Sequence, residues 1–240
     1  MPRRLLRGTA GLVFHVMNRS ANRLTLFSTA ADYESFLRVT IEAVARVPIR
    51  LLAYCVMPNH WHLVVWSSAD GDISRWLQWL TMTHAQRWRV AHESVGRGAV
   101  YQGRFRWVPV QSDGHLLRAC RYVERNPVRA ALVARAEYWR WSSLHERTHV
   151  GDCKNCARPE LSEWPIPRPH SWVDFVNEGE APTELSIVRR CVARGVPYGS
   201  STWQESTARA IGIPLSGRGR PKKGREDFHS QEILPTLFPG

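Results

Sequence analysis

The chain has 240 residues, 43% of them hydrophobic, with a formal net charge of +12 and a pI near 10.2. That hydrophobic share suffices for a packed core, and the positive surplus points to a polyanionic partner, because each Lys or Arg near a phosphate releases a counterion. No apolar run reaches the length of about 18 residues that spans a bilayer. The basic start, Met1 to Arg7, lacks the apolar stretch of a secretory signal, so a cytoplasmic protein with no membrane partner is expected. The odd count of five cysteines then reads as reduced thiols. Arginine greatly outnumbers lysine, and arginine both forks phosphate and stacks on bases. Of the eleven tryptophans, Trp61, Trp107 and Trp172 are candidates to offer faces to unpaired bases, although core packing is the commoner use of any one of them.

In chain order, residues 11–19 are rich in β-formers and predict a first strand. Residues 32–46 carry Phe36, Leu37, Ile41, Val44 and Ala45 at helical spacing, with Asp32 as the expected cap and Pro48 closing the helix. Residues 49–56 and 60–66 predict two strands joined by the turn Met57-Pro58-Asn59, hence a hairpin. A long amphipathic helix follows over 73–92, with Asp72 at its start. After a flexible loop at Gly96 and Gly98 come a fourth strand over 105–110 and a third helix over 113–125, stopped by Pro127. The order is β-α-β-β-α-β-α. It predicts an α+β, ferredoxin-like domain with an antiparallel sheet and one extra helix, over residues 1–131. Residues 132–182 read as an irregular Trp- and Pro-rich connection, and 183–215 as two short helices around Gly195 to Gly199. Residues 216–240 read as a basic tail that stays disordered until it meets nucleic acid.

His60-Trp61-His62 lies in a predicted strand, where side chains two apart share a face and can reach one cation. With ten histidines in the chain a chance pair is common, and on spacing alone two half-exposed polar strand residues are the commoner reading. A two-histidine site with a hard oxygen ligand suits a divalent cation that meets phosphate. Tyr122 and Asn126 are four apart on a predicted helix and so share a face. Asn126 could supply an amide oxygen to the metal, and Tyr122 could be a nucleophile favoured as phenolate by a cation and nearby arginines. Tyr122 is also readable as an amphipathic helix residue with its hydroxyl at the rim.

These pieces form an ordered set. Phe14-His15-Val16-Met17-Asn18-Arg19, Met57 to Val64, Gln102-Gly103-Arg104-Phe105, Tyr122 to Ala130, Trp141-Ser142-Ser143 and Gly217 to Lys222 together span nearly the whole chain. In them the chain resembles the REP-associated tyrosine transposases, relatives of the single-tyrosine HUH transposases of bacterial insertion sequences. The resemblance implies that His60 and His62 are the metal ligands of the HUH motif and that Asn126 fills a third position that is Gln in the insertion-sequence relatives. It implies Tyr122 as nucleophile, forming a 5′-phosphotyrosine and leaving a 3′-hydroxyl, with Mg²⁺ or Mn²⁺ as cofactor. The implied substrate is single-stranded REP-type hairpin DNA, gripped in part by Arg218, Arg220, Lys222 and Lys223 of the tail. A monomer is expected, with an exchanged dimer as the alternative. The competing functions are a DNA-binding protein that has lost cleavage and a nuclease that uses water.

Further DNA contacts are expected from His15, Asn18 and Arg19 on or after the first strand, from Arg104 and Arg106 on one face of the fourth, and from Arg129. His115 is read as a surface residue that could approach the site. His145, His149, Cys153 and Cys156 have the spacing of a compact zinc site, without the knuckle pattern that usually surrounds one.

Overall fold

Strand alternation decides which side chains meet which layer. The structure, a computed structural model, describes residues 7–149 and 156–215. β1 (Val13–Arg19), α1 (Ala30–Arg46), β2 (Ile49–Met57), β3 (His60–Ser67), α2 (Asp72–Ala91), β4 (Arg106–Val110) and α3 (Gly114–Glu124) follow one another in the expected β-α-β-β-α-β-α order. The strands pair antiparallel in one four-stranded sheet, β2-β3-β1-β4. The fold is therefore α+β as anticipated.

Register assigns two faces. Met17 lies opposite His62, which lies opposite Cys55, so one face carries Val13, His15, Met17, His60, His62, Val64 and Cys55. This face packs on α3 through Leu116, Ala119, Cys120 and Val123. The other face carries Phe14, Val16, Trp61, Leu63 and Val65 and packs on α1 and α2 through Phe36, Trp76, Leu77 and Leu80. Among the described residues no helix is long and apolar enough to cross a membrane.

Thr29, not Asp32, caps α1. Thr29 is extended and its hydroxyl accepts from the Asp32 amide, while the Asp32 carboxylate reaches back 2.9 Å to accept from the Thr29 amide. Asp32 thus completes a capping box from the third helical position. Asp113 caps α3, whose last residue is Glu124. Pro127 does not simply end that helix. It lies in the first turn of a new short helix, α4 (Asn126–Arg129), where a missing N–H costs nothing.

Beyond α4 the chain forms α5 (Ser143–Thr148), α6 (Trp172–Asn177), α7 (Pro182–Arg194) and α8 (Ser201–Ile211). The stretch read as irregular covers the outer edge of β2. Val56 N donates to Trp141 O (2.9 Å) and Val56 O accepts from Trp139 Nε1 (2.9 Å). The Ser143 hydroxyl meets both the amide and the carbonyl of Tyr54 (2.9 and 3.2 Å), and Leu52 O accepts from Trp164 Nε1 (3.0 Å). At the other edge Tyr198 makes a parallel bridge to β4, donating to Pro109 O (2.8 Å) and accepting from Gln111 N (2.9 Å). Val188, Cys191 and Val192 of α7, and Val196 just after it, join the same core cluster as α3. The tail from residue 216, including Arg218, Arg220, Lys222 and Lys223, lies outside the described residues.

A buried polar chain crosses the α1–α2 side. Trp61 Nε1 donates to Tyr101 Oη (3.0 Å), and the same hydroxyl is hydrogen-bonded to His84 Nδ1 (2.6 Å). Burial holds the His84 imidazole down at about 3, against 6.5 for an exposed one. Between those values the unfolded chain binds a proton that the folded chain refuses, so stability rises with pH across this window. His84→Gln should flatten that dependence by up to about 1.4 kcal/mol per pH unit. Urea melts at several pH values read the slope, and an unchanged slope refutes the assignment.

Candidate active site

The tight turn at Pro58 and Asn59 places His60 and His62 at the start of β3, on the α3 side of the sheet. Trp61 between them points into the opposite core, fully buried against Phe36 with ring centroids 5.5 Å apart. The two imidazoles lie 5.0 Å apart at 87°. Each has one ring nitrogen engaged inside the protein. His60 Nδ1 meets Asn59 Oδ1 at 2.7 Å, and His62 Nδ1 meets His15 Nε2 at 2.9 Å. Burial, reinforced by the Arg19 and Arg129 charges, brings the His60 imidazole down to about 3. Burial, with His60, His15 and the same arginines, holds His62 well below its ordinary value. Both rings are therefore neutral near pH 7, the form that offers a lone pair to a cation.

α3 buries Leu116, Ala119, Cys120 and Val123, a helical i, i+3, i+4, i+7 stripe, against the sheet. That packing brings Tyr122, 9% exposed, over the histidines. Its ring centroid is 5.9 Å from His62 and 5.7 Å from His15, edge-on to both. The Arg129 guanidinium carbon sits 4.3 Å over the phenol ring. Arg129 also donates to the Tyr122 carbonyl and, at 2.5 Å, to the Glu180 carboxylate, which fixes it from the loop before α7. The helix breaks at Arg125, and across the break Asn126 Nδ2 donates to the Tyr122 carbonyl at 3.4 Å. Tyr122 and Asn126 thus remain neighbours, and Asn126 is half-buried.

Next to this cluster lies a cleft of about 260 Å³ lined by Met17, Asn18, Arg19, Gln102, Gly103, Arg104 and Arg106. Arg19 is opposite His60 in the β1–β3 register, so the cleft opens directly beside the pair. Asn18 is built into its wall, accepting from the Arg19 amide (2.9 Å) and donating to Gly103 O (3.5 Å). Arg106 donates to Ala193 O at 3.3 Å. β4 begins at Arg106, so Arg104 belongs to the preceding loop rather than to the strand, yet both reach the same cleft.

Other sequence candidates fall elsewhere. His15 is 3% exposed beneath Tyr122, where it partners His62 and does not face solvent. Trp61 and Trp172 are buried and offer no face to a base; Trp172 Nε1 donates to Glu124 at 2.7 Å. His115 bonds Asp113 (2.7 Å) and packs on Tyr198 (5.0 Å). His145 Nδ1 meets Glu137 O at 2.7 Å and stacks on His149 at 4.1 Å. Cys55, Cys120 and Cys191 are free thiols, as expected, whereas Cys156 is disulfide-bonded, which corrects the expectation at that position and removes its thiolate from a zinc set; Cys153 lies outside the described residues. Among the described residues no group of three or more His, Cys, Asp or Glu converges as a metal centre. Sequence reasoning did not foresee Asn59 and His15 as ring partners, nor Glu180 as the anchor of Arg129. Alternation put His15 on a face, but only strand register shows which histidine it meets.

Residues 9–126 match the family model described as "Transposase IS200 like". Among solved structures the chain is similar to a REP-associated tyrosine transposase bound to a REP hairpin. Identity is 19%, over 70% of this chain and 96% of that one, with a TM-score of 0.50. A second structure, assigned as a transposase of Deinococcus radiodurans R1, shares 16% identity over 55% of this chain and 92% of that one, with a TM-score of 0.37. No curated protein sequence matches the chain. The matched segment takes in all four strands, the three histidines of the cluster and Tyr122; over it the chain is similar to the IS200-like transposases, and it has the fold of the REP-associated tyrosine transposase.

Proposed function

We propose that this protein cleaves and rejoins single-stranded DNA through a covalent bond to Tyr122, with Mg²⁺ or Mn²⁺ held by His60, His62 and Asn126. The observation that carries the reading is the Tyr122 ring 5.9 Å from His62 within one chain. It also supports action as a monomer, each tyrosine serving its own histidines. The donor set fits a divalent cation: two neutral imidazoles with their Nδ1 atoms engaged elsewhere, and an amide-bearing residue beside the tyrosine. When bound, such a cation polarises the scissile phosphate and offsets its developing charge.

The Tyr122 hydroxyl oxygen attacks phosphorus, a new oxygen–phosphorus bond forms, and the bond from phosphorus to the 3′-oxygen breaks. The phenolic proton is lost to solvent, and the departing oxygen gains one to become a 3′-hydroxyl. Rejoining reverses these events without ATP, because the ester energy is kept in the phosphotyrosine. Arg129 places positive charge over the phenol ring, and Glu180 keeps it there. Arg19, Arg104 and Arg106 bind the phosphates of the unpaired strand along the cleft, and Asn18 orders its wall. The basic residues Arg218, Arg220, Lys222 and Lys223 add further phosphate contacts. The hairpin bound by the REP-associated relative makes REP-type hairpins the first substrate to try.

One gel tests the chemistry. Hairpin DNA with a single-stranded flank is labelled at one end or the other, incubated with protein and Mn²⁺, and denatured. A 3′-end label should migrate with the protein, and a 5′-end label should appear in a free fragment ending in a 3′-hydroxyl. Binding without cleavage favours a DNA-binding protein. Cleavage with neither label on the protein favours attack by water.

A further inference from the structure

His60 and His62 are held by unlike partners, and the difference has chemical content. The Asn59 side-chain oxygen can only accept, so His60 carries its proton on Nδ1 and keeps the Nε2 lone pair. His62 instead faces another imidazole, and its 2.9 Å contact with His15 is satisfied by either of two proton arrangements. In one, His62 Nδ1–H donates to His15 Nε2, and His62 Nε2 is left bare. In the other, His15 Nε2–H donates, the His62 proton sits on Nε2, and no lone pair is left for a cation.

We infer that His15 is a positioning residue: it accepts from His62 Nδ1 and thereby presets, in the metal-free protein, the His62 tautomer that presents Nε2 to a divalent cation. The inference rests on the metal site proposed above. The ring is built for the task. His15 is 3% exposed, held by β1, with its centroid 5.1 Å from that of His62 and the planes inclined by 29°. Strand pairing places His15 opposite Val64 and Met17 opposite His62, so the two imidazoles are diagonal neighbours on one face. Tyr122 closes the cluster above, edge-on to both rings, and keeps water from replacing the His15 acceptor. Asn59 performs the same service for His60 from the turn, so both rings of the pair have their proton placed from within the protein.

Nitrogen-15 NMR of the metal-free protein, with His62 assigned by substitution, reads the tautomer directly. His62 protonated on Nδ1 and bare on Nε2 is the expected result, and the reverse overturns the inference. Mn²⁺ binding, followed by the electron paramagnetic resonance of the free ion, gives a second readout. His15→Leu keeps an apolar side chain in the buried position but removes the acceptor, and should weaken Mn²⁺ binding by roughly 10–100-fold. His15→Gln returns a side-chain oxygen and should recover most of that loss, which a merely space-filling role does not predict. Undiminished Mn²⁺ binding by His15→Leu overturns the role of His15 and leaves the metal site standing. A wild-type protein that binds no Mn²⁺ overturns the metal reading, and the tautomer measurement still decides the inference about His15.

Discussion

Tyr122→Phe should abolish the covalent protein–DNA band and lower strand cleavage by roughly 10³-fold or more, while hairpin binding stays near wild type. The substitution removes one oxygen and keeps the ring. The edge-on contacts with His15 and His62, and the surface on which Arg129 rests, are all made by that ring. The Arg129 and Asn126 hydrogen bonds run to the Tyr122 backbone carbonyl, which no side-chain change removes. A fall in cleavage therefore reports lost chemistry and not a displaced helix. Binding is read by a mobility shift and cleavage by the two-label gel. Persistent cleavage in Tyr122→Phe would assign the attack to water and reject the tyrosine mechanism.

Glu124→Ala should destabilise the fold by about 3–5 kcal/mol, the usual cost of removing one partner from a buried charge pair. For a chain of this size that corresponds to a drop in Tm of about 10 °C. Glu124 is fully buried and joins three separated parts of the chain. It accepts from Arg147 (2.9 Å) and the Ser143 hydroxyl (2.5 Å) of α5, and from Trp172 Nε1 (2.7 Å) of α6. Without the carboxylate, the largely buried Arg147 guanidinium loses its ion-pair partner. Because Glu124 lies two residues after Tyr122 at the end of α3, cleavage should fall as well, although the nucleophile is intact. Denaturant melts measure the first effect, and a change below about 1 kcal/mol would deny Glu124 its joining role.

The strands and long helices could be read from the sequence because their periodicities are strong and a sheet buried on both faces leaves few polar interruptions. Boundaries were weaker where a cap is shared. Asp32 acts from inside α1, and nothing local separates that from capping until the Thr29 backbone is seen to be extended. The His60–His62 pair and Tyr122 were legible as candidates, since each needs only local spacing. What joins them depends on register and packing: His15 reaches His62 across two strands, and Glu180 reaches Arg129 from a loop 51 residues away. The described residues of 132–182 looked irregular because α5 and α6 are only six residues long each, and the stretches around them are tied to β2 by hydrogen bonds rather than by a repeat of their own. The Trp141-Ser142-Ser143 piece was recognisable, but its purpose was not: Ser143 Oγ touches both β2 and Glu124.

The stitching of β2 has a consequence for how copies of this chain can meet. Along its outer side the amides of Tyr54 and Val56 and the carbonyls of Leu52, Tyr54 and Val56 already have partners from 139–164, and Tyr198 takes the far end of β4. A strand from another molecule finds little there to pair with, which is the usual defence against edge-to-edge aggregation and strand exchange. Two copies that associate would therefore not do so by pairing strands along β2.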